Sequence, residues 1–245
     1  MRHSNKKFKT MKKITTFLLI ALTAINISAF SAGANKTENR NLKNFHAVKV
    51  SSGIDLYLKM GETEEVKVVA DDDVIDRIKT EVKDGTLHIY MKGNSFFNFS
   101  FGSNSKKVYI SVKQLDDIDA SSGSDVFAEN TLSGETLQVD ASSGSDIKLD
   151  IRYKNFELDV SSGSDAKISG KTKNFSAEAS SGSDINARDL ESVICNVKAS
   201  SGSDISVNVS DEIYARASSG SDINYYGSPQ IKDIDESSGG DVSRR

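Results

Sequence analysis

Along most of the chain, apolar and polar residues alternate in short runs. Ile147, Leu149 and Ile151 alternate with Lys148 and Asp150. Phe156, Leu158 and Val160 alternate with Glu157 and Asp159. Ile205, Val207 and Val209 alternate with Ser206 and Asn208, and Ile213, Ala215 and Ala217 with Tyr214 and Arg216. A period of two predicts strands with one buried face. Polar turns such as Arg152–Asn155 separate paired runs. No unit carries apolar residues at helical spacing.

One string punctuates these runs. SSGSD occurs at Ser121–Asp125, Ser142–Asp146, Ser161–Asp165, Ser180–Asp184, Ser200–Asp204 and Ser218–Asp222, with SSGGD at Ser237–Asp241 and an outlying SSGID at Ser51–Asp55. From Gly123 to Gly239 the glycines are spaced by 21, 19, 19, 20, 18 and 19 residues. A strand pair cannot bury its apolar face alone, so repeats of this length predict stacked coils. The expected fold is all-β: a parallel β-solenoid of about 19-residue coils. A propeller is disfavoured, because a blade needs roughly 40 residues.

Stacking in register predicts an interior column of Val126, Ile147, Ala166, Ile185, Ile205, Ile223 and Val242, with Phe156 and Phe175 beginning another. Continuing the alternation through the corner puts Ser143 and Ser145 on the inner side, with Ser142, Gly144 and Asp146 outside. Glycine there can take positive φ and leave room for the next coil.

Residues 35–118 read differently. Phe45–Val50, Leu56–Leu58, Glu65–Val69 and Leu87–Met91 are predicted strands, and Asp71–Lys79 a short helical turn. This block is expected to form an N-terminal strand-rich cap on a repeat solenoid spanning 119–242. Within it, Phe96, Phe97, Phe99 and Phe101 lie among Gly, Ser and Asn. They predict a hairpin packing its rings onto the solenoid, or an exposed aromatic contact surface.

Residues 1–34 have a basic start (Arg2, Lys6, Lys7, Lys9, Lys12, Lys13), an apolar stretch from Ile14 to Ile27, and Ala32-Gly33-Ala34. This is the pattern of a secretory signal peptide, with Met1 or Met11 as the start. It predicts export to the periplasm, outer surface or medium, with no spanning segment after cleavage. The remaining chain would carry 25 Lys and Arg against 35 Asp and Glu, a net charge of −10. Such a chain suits cations or basic partners and is poorly matched to nucleic acid. The lone Cys195 rules out an internal disulfide framework and falls on the apolar alternation as a buried thiol.

The segments FHAVKVSSGIDLYL (Phe45–Leu58), IKTEVKDGTLHIY (Ile78–Tyr90) and VYISVKQLDDIDASSGSD (Val108–Asp125), with the later pentapeptides, resemble a bacterial family of unknown function. It is the putative auto-transporter adhesin, head GIN domain family. The resemblance spans about Phe45 to Asp241 and implies parallel β-coil architecture and an envelope location. It implies no catalytic motif.

The chemistry-bearing feature is a corner column of Asp125, Asp146, Asp165, Asp184, Asp204, Asp222 and Asp241. Adjacent carboxylates about 5 Å apart repel by roughly 0.8 kcal/mol in bulk water. Ser hydroxyls and backbone N–H groups would offset this, as in Asx turns; a row of Ca²⁺ ions is the alternative. Paired carboxylates also suggest a carbohydrate-active enzyme, yet catalysis needs two carboxylates in unlike environments, and a regular column makes them alike. His46 and His88 lie in separate strands without catalytic or metal-ligand spacing. The expected function is therefore binding without catalysis, cofactor or metal, with an extended glycan or protein as partner. A structural envelope scaffold is the other non-catalytic reading, and self-association stays open. The export reading predicts that the native protein begins near Asn35; N-terminal sequencing that finds Met1 or Met11 retained rejects cleavage.

Overall fold

The computed structural model describes residues 35–93 and 105–245. Residues 1–34, read above as a signal peptide, and Phe96, Phe97, Phe99 and Phe101 lie outside the described residues. Among the described residues, seventeen strands belong to one continuous sheet wound into coils. One 3₁₀ turn, Ile75–Arg77, stands where the short helical turn is expected.

Strands of the first face run into the corners. They are β2 (Ala47–Val50), β8 (Asp117–Ala120) and β10 (Leu132–Ala141), followed by the second halves of β11 (Asp146–Ser161), β12 (Asp165–Ser180), β13 (Asp184–Ala199) and β14 (Asp204–Ala217), and β16 (Ile231–Glu236). Strands of the second face leave the corners: β3 (Asp55–Met60), β9 (Val126–Ala128), the first halves of β11 to β14, β15 (Asp222–Tyr226) and β17 (Asp241–Arg244). Every pairing along both faces is parallel. The expected solenoid is therefore the observed one.

The order of coils in space differs from their order in sequence. After β3 the chain leaves the stack through β4 (Glu65–Asp71) and β5 (Ile78–Lys83), then returns as β6 (Thr86–Met91) and β7 (Lys106–Val112). These pair with β2 and β3 on the side away from the repeats. β8 and β9 then stack on the other side of the same two strands. The outlying SSGID corner is thus the direct neighbour of Ser121–Asp125, and Gly53 N–H donates to the Ser122 carbonyl at 3.0 Å. Beyond this coil, β4 runs antiparallel to β7, β1 (Asn35–Arg40) antiparallel to β4, and β5 antiparallel to β6.

In-register stacking makes the interior a set of columns. Val126, Ile147, Ala166, Ile185, Ile205, Ile223 and Val242 pair in succession, and Leu56 and Val108 extend the column past Val126. Phe156 stacks on Phe175 with centroids 5.3 Å apart, and Cys195 follows in the same column. Each fully buried Ile or Leu contributes about 1.5–3 kcal/mol relative to exposure.

The corners depart from simple alternation. The second Ser and the Gly of every corner both lie at positive φ, as at Ser201 (59°) and Gly202 (67°). This left-handed pair resets the phase. Ser143 consequently faces solvent, and only the fourth residue of the corner points inward. Ser124, Ser145, Ser164, Ser183, Ser203 and Ser221 are all fully buried. A Cβ built on Gly144, Gly163, Gly182 or Gly202 would meet nothing within 4 Å. Glycine is therefore there for its φ and not for space. Gly240 of the last corner is the opposite case: a Cβ would sit 2.4 Å from the Ala217 carbonyl carbon.

The buried Ser hydroxyls satisfy backbone groups that the left-handed pair leaves behind. Ser203 Oγ lies 2.8 Å from the Ala179 carbonyl and 2.9 Å from the Ser200 carbonyl, and accepts the Ser200 N–H at 3.1 Å. In the earlier corners the bonds run between coils: Ser124 N–H donates to Ser145 Oγ at 3.2 Å, and Ser145 N–H to Ser164 Oγ at 3.0 Å. At the end of the column, Lys106 Nζ donates to the Ser52 carbonyl at 3.0 Å. It replaces the glycine N–H that a preceding corner would have supplied. Burial pushes the Lys106 pKa down, opposed by the nearby Asp55 carboxylate.

Replacing Ser203 with Ala removes a buried partner and is expected to cost about 1–3 kcal/mol. Ser201→Val forces a β-branched residue to positive φ and costs more than about 1 kcal/mol, whereas Ser201→Gly is nearly neutral. Urea unfolding of the three variants checks this; equal effects of Ser201→Val and Ser201→Gly would refute the assigned geometry.

Candidate functional site

Asp146, Asp165, Asp184, Asp204 and Asp222 open their second-face strands directly after the buried Ser, Asp241 opens β17 after Gly240, and Asp125 directly precedes β9. The register pairs Asp146 with Asp165, Asp165 with Asp184, Asp184 with Asp204, Asp204 with Asp222, and Asp222 with Asp241. Asp125 stands next to Asp146, and Asp55 extends the column beyond Asp125. Asp55 escaped the sequence reading because the β4–β7 excursion separates neighbouring coils by 70 residues.

The carboxylates point outward, and backbone amides of the next coil hold two of them, Asp125 and Asp184. Asp146 N–H donates to Asp125 Oδ1 at 3.2 Å, and Asp204 N–H to Asp184 Oδ1 at 3.3 Å. The corner Ser hydroxyls bond to backbone groups, so they do not serve as the carboxylate donors; the exception beyond the corner is Ser243, whose hydroxyl donates to Asp241. At Asp125 partial burial raises the pKa, opposed by the Asp146 N–H and reinforced by Asp55. Among the described residues no group of three or more His, Cys, Asp or Glu side chains is arranged to hold a metal ion.

A second ladder crosses the first face. The residue two places before each corner points outward, and register aligns Lys49, Asp119, Asp140, Asp159, Glu178, Lys198, Arg216 and Asp235. Lys49 pairs with Asp119 and Lys198 with Glu178, so the acidic run is closed at both ends by ammonium groups. Between them, Asp159 is pushed up to about 6 by burial, then by Asp140, Glu178 and Glu157, with Lys198 opposing. Asp140 and Asp117 are raised as well, again mainly by burial. The signal was present in the sequence as an acid two places before the corners at Ser121, Ser142, Ser161 and Ser180.

Of the other residues singled out from sequence, His88 in β6 pairs in register with Lys49 and so stands beside the end of this ladder. His46 Nδ1 lies 2.8 Å from Asp116 Oδ1 at the surface. Cys195 is buried, and burial pushes its thiol up to about 12, far from a reactive thiolate. Concave surface occurs elsewhere: a depression of about 250 Å³ over the Asn155–Asn174 amide ladder, and a groove of about 580 Å³ beside β1.

A parallel coil stack with corner carboxylates, open faces and a capped end defines a repeat-built β-solenoid of the adhesin-head type. The chain belongs to the family described as "Putative auto-transporter adhesin, head GIN domain", whose model matches residues 44–229. Among solved structures it resembles a putative adhesin from Bacteroides fragilis, with a TM-score of 0.80 at 20% identity over 86% of this chain and 97% of that one. A putative adhesin from Parabacteroides merdae gives 0.70 at 18% identity, covering 87% and 97%. A protein from Parabacteroides distasonis described as a putative lipid binding protein gives 0.66 at 19%, covering 86% and 98%. These likenesses establish the shared fold. No curated protein matches the chain.

The raised Asp159 pKa carries a sign. Its protonated form is favoured in the folded state relative to its ordinary value of 3.8. The ionised ladder is therefore a penalty that is absent below about pH 4 and grows until about pH 6. The displacement corresponds to about 3 kcal/mol, and solvent screening at this half-exposed group reduces the expected effect to on the order of 1 kcal/mol. Asp159→Asn should stabilise the fold at pH 7, with the advantage gone at pH 4. Melting curves at the two pH values check this, and a variant less stable at pH 7 would contradict the ladder electrostatics.

Proposed function

We propose that the chain is an exported, adhesin-like binding protein of the cell envelope or surroundings, without catalysis, presenting its rigid outer faces to an extended glycan or protein. The observation that carries this reading is the outward ladder architecture: the same side chains recur coil after coil on open, flat faces, a form suited to an elongated partner. Family membership supports it through the adhesin-head description. The signal-peptide pattern of residues 1–34 supports export, and no helix of the described residues is long and apolar enough to cross a membrane.

In this reading the corner carboxylates Asp125, Asp146, Asp165, Asp184, Asp204, Asp222 and Asp241 form one contact line, and Phe96, Phe97, Phe99 and Phe101, outside the described residues, are the aromatic contact surface expected from the sequence. The acidic ladder through Asp159 lies on an outer sheet face, and Asp159 lines neither of the two concave regions described above. The description of the Parabacteroides distasonis relative raises lipid as another partner class, and a lipid arm belongs in the test.

The test is solution binding of the purified exported protein to panels of envelope polysaccharides, surface proteins and lipid vesicles, with product analysis of every glycan that binds. Saturable binding to a glycan or protein without turnover is the expected result. Glycan cleavage, or saturable binding confined to lipid, would replace this reading.

A further inference from the structure

The two ends of the coil stack are finished differently. At the cap end, β4, β1 and β5 run antiparallel over the outermost coil. At the other end, among the described residues, β16 pairs only with β14 and β17 only with β15, so each keeps an open edge. An open edge is a template for a further strand. Exposed apolar surface gathers there too. Among the described residues the exposed large apolar side chains are Val193, Ile231 and Ile234, and two of these three stand on β16.

β16 reads Ile-Lys-Asp-Ile-Asp-Glu, and all six residues are exposed. Register with β14 sets Lys232, Ile234 and Glu236 beside the buried Ile213, Ala215 and Ala217, so these three occupy the inward positions of the last coil. The backbone follows the same alternation. Ser237 N–H donates to the Ala217 carbonyl at 3.0 Å, and successive residues of a strand turn their N–H and C=O to opposite edges. Counting back from Ser237, Asp235 and Asp233 face β14, whereas Lys232, Ile234 and Glu236 face the open edge. The same three residues therefore carry both the inward side chains and the backbone groups without a strand partner.

This trio is its own complement. An antiparallel copy centred on Ile234 sets Lys232 opposite Glu236, Ile234 opposite Ile234, and Glu236 opposite Lys232. All three are positions at which an antiparallel pair exchanges N–H···O bonds. Shifting the register by two residues either way keeps the inward sides together but loses both Lys–Glu pairs. Glu236 Oε1 accepts the Val242 N–H at 2.8 Å, which holds the carboxylate at the open coil and leaves Oε2 for a cation. On the outward side Asp233 would face Asp235 of the copy. Arg216 stands beside both on its own chain, 3.0 Å from Asp233 and 3.8 Å from Asp235, and supplies the balancing charge.

We infer that two copies of this chain join end to end, β16 against β16 antiparallel about a two-fold axis at Ile234, with Lys232 of each paired to Glu236 of the other. The contact is isologous and closes at two copies. It goes beyond the binding function proposed above and does not depend on it. A further coil of the regular kind fits poorly, because its apolar side chains would meet Lys232 and Glu236. The cap of a second copy fits no better. There β5, paired only with β6, carries Thr80 and Val82 on the side of the buried Ile89 and Leu87. Joined to β16 it would bury both charges without partners, and such head-to-tail contacts would run on into a filament. A foreign peptide can add to an open edge, but the reversal symmetry of Lys232, Ile234 and Glu236 is matched by the strand itself.

Sedimentation velocity of the purified protein at concentrations from about 1 to 200 µM tests this. A monomer–dimer equilibrium is expected, with no larger species. Lys232→Glu and Glu236→Lys should each raise the dimer dissociation constant by about tenfold or more, because each sets two like-charge pairs face to face. The double variant Lys232→Glu/Glu236→Lys should recover the dimer. A mixture of the two single variants should recover it as a heterodimer, an outcome that a merely structural role of either residue would not produce. Ile234→Asp should be monomeric, Lys171→Ala, on a distant coil, should dimerise as the parent does, and melting curves verify that each variant is folded. The assignment falls if the parent stays monomeric throughout the range, if it forms open-ended filaments, if the folded single variants dimerise like the parent, or if neither the double variant nor the mixture recovers the dimer.

Discussion

Parallel, in-register pairing between coils is the constraint on which everything else in this molecule depends. Each strand must find its hydrogen bonds in the coils on either side, at the ordinary strand spacing of about 4.8 Å. Position therefore stacks on position, whether or not the side chains gain by it. Inside, this is favourable: Ile185 meets Ile205, and Phe156 meets Phe175. Outside, it forces like charges together, and the surface chemistry is largely a set of solutions to that problem. The corner carboxylates are turned outward, and two of them, Asp125 and Asp184, accept a backbone N–H from the next coil. The acidic ladder of the first face is closed by Lys49 and Lys198. Asp159, in its middle, keeps the penalty as a raised pKa.

The corner makes the in-register stack compatible with a closed coil. Two consecutive left-handed residues cost conformational energy at every Ser that adopts them, and they turn the chain from one face to the other. The fully buried Ser that follows supplies the hydroxyl satisfying the backbone groups stranded by the turn. Where the pattern ends, the same requirement is met by other means. Lys106 caps the Ser52 carbonyl at one end, and the antiparallel strands β4, β1 and β5 cover the outermost coil there. At the other end, register places Lys232 and Glu236 at positions occupied in the preceding coil by the buried Ile213 and Ala217. Charge at those positions discourages a further apolar coil from adding.

Much of this was legible in advance, for physical reasons. Period-two alternation and a constant spacing of SSGSD specify strands, register and interior columns at once, and the column from Val126 to Val242 is the predicted one. The phase through the corner was not legible, because alternation assumes extended backbone and Ser143 and Gly144 are left-handed. Nor was the spatial order of coils. Nothing in the local sequence of Ser51–Asp55 says that its neighbour lies 70 residues on, since β4 to β7 return to the stack on its opposite side. The ladder through Asp159 was readable but hidden, because attention to the corner string drew notice away from the residue two places before it. The groove beside β1 is of another kind. Arg40, Lys43, Lys59 and Lys67, which line it, come from β1, the segment after it, β3 and β4, and only the antiparallel cap brings them together.

That last point bears on how such a protein divides its labour. A ladder repeats one chemistry at fixed intervals, which gives a partner many equivalent registers and so little positional specificity. Specificity requires a place where the repeat is broken. The described chain has such a place where β1 and β4 fold back against β7, creating a concavity that a regular coil would not contain. Tyr109 belongs to the non-repeating cap, Tyr57 to the first coil and Phe127 to the next, so their stacked rings join the irregular end to the regular stack. The long regular portion is a mount whose geometry is set by the corner, and its surface stops repeating where the corner rule stops.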